Sequence, residues 1–220
     1  MENKGNREPK EVESTLAHDL NNYLQVVMGN LEILRRRGVF MPELVNAALN
    51  ATRNAAHLAD RLVAMGRLQH HDPRTLDLNR ALTDLNEMLG RILGDGVRVE
   101  MDLAEGLAPV LADARCLQLA LLEIATNARD AMPTGGRMSI RTASAERGLV
   151  SIALTDTGAG MAADAIPHAF NPVFSTGDGV KPARLGLHIV DCCMRQAGGR
   201  VELSSQPSRG TTVTLYLPTA

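Results

Sequence analysis

The sequence is poor in aromatic residues and nearly balanced in charge. It holds no tryptophan, two tyrosines and three phenylalanines among 220 residues, with a formal net charge of −2. Nucleic-acid surfaces need a basic field or aromatic stacking platforms, so we expect no nucleic-acid partner. Long apolar runs are also missing, and the polar residues 1–13 lack the apolar core of a signal peptide. These absences favour a cytoplasmic protein without membrane contact.

Cysteine is scarce as well. Cys116, Cys192 and Cys193 lack the spacing of metal ligands. The adjacent pair lies in an apolar helical pattern, which favours small, reduced core residues. His188 shares a helix face with Cys192, but no second pair of ligands completes a zinc site, so we expect no metal there.

Two amphipathic helices are predicted in the first third of the chain. Apolar residues of the first recur at spacings of four and three and form one seam: Leu16, Leu20, Leu24, Val27, Leu31 and Leu34. Those of the second keep a heptad spacing after Pro42, which a first helical turn tolerates: Leu44, Ala48, Ala51, Ala55, Leu58, Leu62 and Met65. An antiparallel hairpin follows, and two hairpins pairing into a four-helix bundle would bury a core that one cannot.

An α-helix rotates by about 100° per residue, which places His18 of the first helix on the side opposite this seam. Asp19 can accept the imidazole N–H, fix its tautomer and make the other nitrogen more nucleophilic. Asn22, Gln25 and Gly29 continue a polar, small-residue stripe on which a partner could lie flat. The residues alone leave two readings open, a solvated surface histidine and a histidine that carries a phosphoryl group.

The pattern becomes mixed beyond a predicted hinge over residues 70–73, which includes His70 and His71. Strands are predicted at residues 97–102, 137–143, 150–156, 200–205 and 212–217. Helices are predicted at residues 79–93, 114–131 and 185–196, with Asp113 as the N-cap of the second. The chain is therefore expected to be α+β, with a flexible N-terminus over 1–13, a helical hairpin over 14–72 and an α/β sandwich over 73–220.

The predicted helix 114–131 carries a polar stripe on an otherwise apolar surface. Glu123, Asn127 and Asp130 follow one another at i, i+4 and i+7. The stripe is either an exposed face or a site for a hard cation with its phosphates, because magnesium prefers oxygen ligands and polar groups are costly to bury alone.

A second candidate site follows the strand 150–156. Asp156 precedes Gly158 and Gly160; the glycines let a backbone approach a flat ligand, and the aspartate can accept from an exocyclic amine. Residues 170–186 have few secondary-structure signals and are predicted to form a mobile lid.

In order and spacing, these motifs resemble the catalytic core of a two-component sensor histidine kinase over residues 14–218. Residues 18–22 resemble the phosphoacceptor motif of its dimerisation and histidine-phosphotransfer domain. The nucleotide-binding motifs are matched in order by residues 123–132 (N box), 156–160 (first glycine box), 170–176 (phenylalanine box), 185–187 (end of the second glycine box) and 210–212 (closing glycine-threonine motif).

The resemblance implies a hairpin dimer followed by an ATP-binding domain of the GHKL (Bergerat) type. His18 would be the phosphoacceptor, Asp19 its general base, and Asn22 the residue that orients water in dephosphorylation of the partner. Glu123 is implicated in catalysis and is a further candidate ligand for Mg²⁺ beside Asn127. The implied ATP-binding residues are Asn127, Asp130, Asp156, Gly158, Gly160, Phe174, Arg184, Gly186, Leu187 and Thr211. The implied partner is a response-regulator receiver domain, and the stimulus is expected to arrive through a separate sensor protein or domain.

One segment departs from the family pattern. The second glycine box usually reads Gly-x-Gly-Leu-Gly-Leu, whereas Pro182, Ala183 and Arg184 precede Leu185 here. Phosphate binds at a helix N-terminus through bare backbone N–H groups, of which Pro182 removes one. Two hypotheses follow: an ATP-dependent kinase, and a histidine-phosphotransfer scaffold (a pseudokinase) that no longer binds nucleotide. In a third hypothesis, Glu123 is the water-activating base of a related ATPase. The phosphoacceptor hairpin argues against this hypothesis.

Overall fold

The computed structural model describes residues 8–68, 72–146, 148–171 and 186–220. Two residues of the predicted hinge, His70 and His71, lie outside these ranges, as does most of the predicted lid, including Phe174 and Arg184. The backbone of the first helix is described through residues 18 and 19, but the side chains of His18 and Asp19 are not among those described. The hairpin and the α/β domain form separate compact units that divide close to residue 69.

The hairpin consists of α1 (Glu8–Arg37) and α2 (Pro42–Leu68), which pack along each other as predicted. α1 begins at Glu8, within the predicted flexible N-terminus of residues 1–13. Pro9 is tolerated at the second position of α1 because the first N–H groups of a helix have no partner within it. α1 ends at Arg37, and the next residue, Gly38, has φ +63° and donates its N–H to the Leu34 carbonyl at 3.0 Å.

Among the described side chains of the hairpin, most of the buried ones are small. Ala48, Ala51 and Ala55 of α2 are buried, as their spacing predicts, and Tyr23 of α1 is buried with an exposure of 6%. Leu24 and Leu31, which belong to the predicted seam of α1, are 46% and 52% exposed. A single hairpin therefore leaves part of that seam in solvent. The side chains of Leu58, Leu62 and Met65 lie outside the described set.

The α/β domain contains three helices and seven strands within the described ranges. In chain order these are β1 (Arg74–Leu76), α3 (Leu78–Leu93), β2 (Val97–Asp102), β3 (Val110–Ala112), α4 (Ala114–Ala131), β4 (Gly136–Ala145), β5 (Leu149–Asp156), α5 (Gly186–Gln196), β6 (Arg200–Gln206) and β7 (Gly210–Pro218), with a 3₁₀ turn at Ile166–His168. The five predicted strands form one sheet in the order β2-β4-β5-β7-β6, with β2 and β4 parallel and the other neighbours antiparallel. β1 and β3 form a separate antiparallel pair that the sequence pattern does not predict.

The core lies between one face of the sheet and the three helices of the domain. Burial alternates residue by residue along β5, as expected for a strand with one covered face. Side chains of both layers are almost completely buried: Leu82, Leu89, Leu121, Met138, Ile140, Ile152, Leu154, Ile189 and Leu215. Asp113 caps α4 as predicted, accepting the Arg115 N–H at 2.9 Å. Among the described residues, no helix is long and apolar enough to cross a membrane.

Candidate functional site

Asp156 ends β5 and is only 8% exposed. Its Oδ1 accepts the N–H groups of Gly158 at 2.8 Å and Thr211 at 3.2 Å. Burial raises the pKa of Asp156, while these backbone donors act in the opposite direction. The two bonds fix the carboxylate, and acceptor capacity remains because a carboxylate has about four lone-pair sites.

The loop after Asp156 is wedged between the end of α4 and the turn that joins β6 to β7. A Cβ on Gly158 would lie 2.7 Å from the Ala131 Cβ, and one on Gly160, where φ is +65°, would overlap the Gln206 carbonyl oxygen. The Ala159 N–H donates to the Ala131 carbonyl at 3.0 Å. These glycines are therefore required first by the close approach of the protein's own backbone.

Gly186, the first residue of α5, lies against two members of the polar stripe on α4. A Cβ on Gly186 would lie 2.7 Å from Glu123 Oε2 and 3.0 Å from Asn127 Nδ2. Glu123 is buried, so the reading of the stripe as a simple exposed face is wrong at this residue. Asn127 is exposed, and so is Asp130, whose Oδ1 forms an ion pair with Arg129 Nη2 at 2.8 Å.

The donors next to Gly186 suit a magnesium ion that arrives with phosphates. Magnesium takes one or two protein oxygen ligands and completes its shell with waters and phosphate oxygens. Glu123 supplies a carboxylate and Asn127 an amide oxygen, and both lie so close to Gly186 that a side chain there would collide with them. The described residues contain no group of three or more His, Cys, Asp or Glu side chains placed to hold a metal.

Ser205, on β6, is a residue of this region that the sequence does not single out. Its hydroxyl accepts the Met161 N–H at 2.8 Å, donates to the Gly210 carbonyl at 3.0 Å and lies 2.9 Å from Thr211 Oγ1. It thereby ties the loop after Asp156 to the strand whose Thr211 N–H holds the Asp156 carboxylate. No local pattern marks Ser205, because its role depends on the pairing of β6 with β7.

The stripe on α1 is exposed at Asn22, Gln25 and Gly29, as predicted. On α5, His188 and Cys192 share a face as predicted, with Cys192 Sγ 3.7 Å from His188 Nε2. Leu187 is half-buried.

Comparison with known proteins identifies both the domain and the longer core. Residues 112–220 match the family described as histidine kinase-, DNA gyrase B-, and HSP90-like ATPase. The chain is 34% identical to the sensor kinase CckA of Brucella abortus, over 92% of this chain and 23% of the relative. It is 30% identical to the sensor histidine kinase ZraS of Escherichia coli, over 92% of this chain and 44% of the relative. The chain thus spans less than half the length of either relative.

Two solved structures share the fold. The Acinetobacter baumannii histidine kinase AdeS superposes with a TM-score of 0.70 at 21% identity, covering 92% of this chain and 98% of that one. The histidine kinase ThkA, solved in complex with the response regulator protein TrrA, superposes with a TM-score of 0.70 at 16% identity, covering 96% of this chain and 61% of that one. The superpositions show the fold alone. Residues 112–220 are a domain of the histidine kinase-, DNA gyrase B-, and HSP90-like ATPase family, and the match to sensor kinases over 92% of the chain identifies it as a sensor histidine kinase catalytic core.

Proposed function

We propose that this chain phosphorylates itself on His18 with ATP and passes the phosphoryl group to an aspartate of a response-regulator receiver domain. The observation that carries the proposal is the convergence of Gly186 with Glu123 and Asn127. Gly186, near the end of the unusual second glycine box, packs against the polar stripe of α4, although Pro182 to Arg184 depart from the family pattern. This favours an ATP-binding domain over a scaffold that has lost its site.

Nucleotide binding is assigned to residues of the α/β domain. Asp156, held by two backbone N–H groups, accepts the exocyclic amine of adenine. Gly158 and Gly160 set the path of the loop beside it. Asn127 and Glu123 would hold Mg²⁺, which would supply charge neutralisation at the phosphates. The remaining members of the ATP set are Asp130, Phe174, Arg184, Leu187 and Thr211.

The transfer itself needs positioning more than covalent chemistry. Asp19 accepts the proton of one imidazole nitrogen of His18, and the other nitrogen attacks the γ-phosphorus. A nitrogen–phosphorus bond forms while the bond from phosphorus to the β,γ-bridging oxygen breaks, and ADP leaves. Phosphoryl transfer to an aspartate then regenerates His18. Asn22, exposed one turn later, is suited to orient water when the partner is dephosphorylated.

The assembly we propose is a homodimer in which two hairpins form a four-helix bundle. Leu24, Met28 and Leu31 lie on one side of α1 at i, i+4 and i+7 and are 46%, 70% and 52% exposed. A second hairpin would cover them. The ThkA structure, which contains a response regulator, supports a receiver domain as the partner of this fold. A separate sensor protein or domain would supply the input.

Titration with a non-hydrolysable ATP analogue and Mg²⁺ tests the nucleotide site. We expect saturable binding that Asp156→Asn abolishes, because the amide places a donor against the adenine amine while keeping an oxygen for Gly158 and Thr211. Asp164→Asn, at an exposed carboxylate after the loop, is the matched control and should bind normally. No measurable binding at millimolar nucleotide would exclude the kinase and leave the second candidate, the phosphotransfer scaffold.

A further inference from the structure

Three polar side chains form a row across neighbouring strands of the sheet. Ser205 of β6 is directly opposite Thr211 of β7, and opposite residues of an antiparallel pair share one face. The antiparallel register of β7 with β5 places Thr211 beside Asp156, whose carboxylate accepts the Thr211 N–H at 3.2 Å. Asp156 and Thr211 have the parity of the buried positions of their strands. The row Asp156, Thr211 and Ser205 therefore lies on the face of the sheet that the helices cover.

The Ser205 hydroxyl has three polar neighbours, which use its whole hydrogen-bonding capacity. A serine hydroxyl donates once and accepts twice. The Gly210 carbonyl at 3.0 Å can only accept, so the single hydrogen of Ser205 is directed to it. The Met161 N–H at 2.8 Å can only donate, so it takes one of the two Ser205 lone pairs. The second lone pair is left for Thr211 Oγ1, which lies 2.9 Å away.

This count fixes the direction of the Thr211 hydroxyl. Two hydroxyl oxygens 2.9 Å apart need a hydrogen between them, and because the Ser205 hydrogen is committed to Gly210, Thr211 supplies it. The reverse arrangement, with Ser205 donating to Thr211, would lose the bond to the Gly210 carbonyl. Towards its other neighbours Thr211 Oγ1 is therefore an acceptor, on the strand next to the Asp156 carboxylate, which is an acceptor as well.

We propose that Ser205 determines which purine base the nucleotide site accepts, because it holds the Thr211 hydroxyl as an acceptor beside Asp156. The inference rests on the proposed function, in which Asp156 binds the exocyclic amine of adenine. Two neighbouring acceptors suit a 6-amino group, which carries two N–H donors. They leave the 6-oxo group of hypoxanthine or guanine without a donor, and an unpaired polar group in a binding site is costly. Ser205 is a positioning residue, since it acts on the base through Thr211.

Removal of the Ser205 hydroxyl should change the preference for the base and not merely the strength of binding. In Ser205→Ala the Thr211 hydroxyl has lost its acceptor and can turn its hydrogen towards a 6-oxo group. A purely structural role of Ser205, as the tie between the loop at Met161 and the strand at Gly210, would weaken the binding of both bases alike. The ratio of the two affinities therefore separates these roles.

The test is calorimetric titration of the full chain with ADP and with inosine diphosphate, each with Mg²⁺. We expect the wild type to prefer ADP and Ser205→Ala to reduce that preference by about three- to tenfold, the value of one hydrogen bond. Ser204→Ala, at an exposed position of β6, is the matched control and should keep the wild-type ratio. Thr211→Val should also reduce the preference. Adding Ser205→Ala to Thr211→Val should reduce it no further, because the hydroxyl that Ser205 orients is gone.

The outcomes separate this proposal from the proposed kinase. A wild-type affinity ratio in Ser205→Ala or in Thr211→Val would overturn the role of Ser205 and leave the adenine site in place. A further loss of preference when Ser205→Ala is added to Thr211→Val would also overturn it, since Ser205 would then act independently of Thr211. A wild type that binds neither nucleotide at millimolar concentration would overturn the nucleotide site and this proposal together.

Discussion

Single residues around Asp156 show how tightly the candidate site is built. Any residue at position 160 must adopt φ +65°, and its Cβ would overlap the Gln206 carbonyl. At Gly90, inside α3, an added Cβ would have nothing within 4 Å. We expect Gly160→Ala to lower the free energy of unfolding by about 2 kcal/mol or more, and Gly90→Ala to raise it by about 0.5–1 kcal/mol. Urea unfolding of both variants, followed by circular dichroism because tryptophan is absent, checks this. Equal effects of the two substitutions would contradict it.

Asp156 also predicts a pH dependence. Because its pKa is raised in the folded protein, the folded state takes up this proton at higher pH than the unfolded chain does. The stability that protonation contributes is complete below the ordinary carboxyl pKa of about 3.9 and is lost as the pH rises through the raised value. Asp156→Asn should therefore be more stable than the wild type at neutral pH, with an advantage that shrinks on acidification. Unfolding free energies from neutral pH to about pH 3.5 measure this. An advantage that grows at low pH would be the opposite result.

At the level of elements, the helix caps test how the domain is fixed. Asp113 caps α4 through Arg115 and also accepts the Asp72 N–H at 3.0 Å, whereas Asp77 caps α3 through Arg80 alone. Asp113→Ala should cost about 2 kcal/mol of unfolding free energy and Asp77→Ala about 1 kcal/mol. Urea unfolding of the two variants gives both costs. A smaller loss at Asp113 than at Asp77 would mean that the contact with Asp72 does not stabilise the domain.

Some elements of the fold could be predicted from the sequence, and others could not. Residue patterns predict β5 to within one residue, and Asp113 correctly marks the start of α4. β1 and β3, of three residues each, are too short for any periodicity, and they form because they pair with each other. Ser205 is hidden for the same reason, since its partners belong to other segments. The burial of Glu123 could not be predicted, because spacing alone does not show that Gly186 covers one end of the stripe.

At the level of the whole molecule, the exposed apolar residues of α1 make dimerisation testable. Met28→Lys places a charge in the centre of the surface formed with Leu24 and Leu31, so we expect it to shift the protein from dimer to monomer. Gln25→Lys adds the same charge to the polar stripe of α1 and should leave the mass unchanged. Light scattering at tens of micromolar measures both variants. A monomeric wild type, or a dimer that Met28→Lys does not weaken, would contradict the proposed bundle.

The proposed kinase rests on two separate units, a hairpin that carries His18 and an α/β domain of an ATPase family. The most direct measurement is the incorporation of acid-labile phosphate from γ-labelled ATP with Mg²⁺, compared among the wild type, His18→Gln and Asp156→Asn. We predict label on the wild type, none on His18→Gln, and a loss of label on Asp156→Asn. Thermal midpoints that match the wild type exclude misfolding as the cause of either loss. Undiminished label on His18→Gln, or an unlabelled wild type at millimolar ATP, would contradict the account.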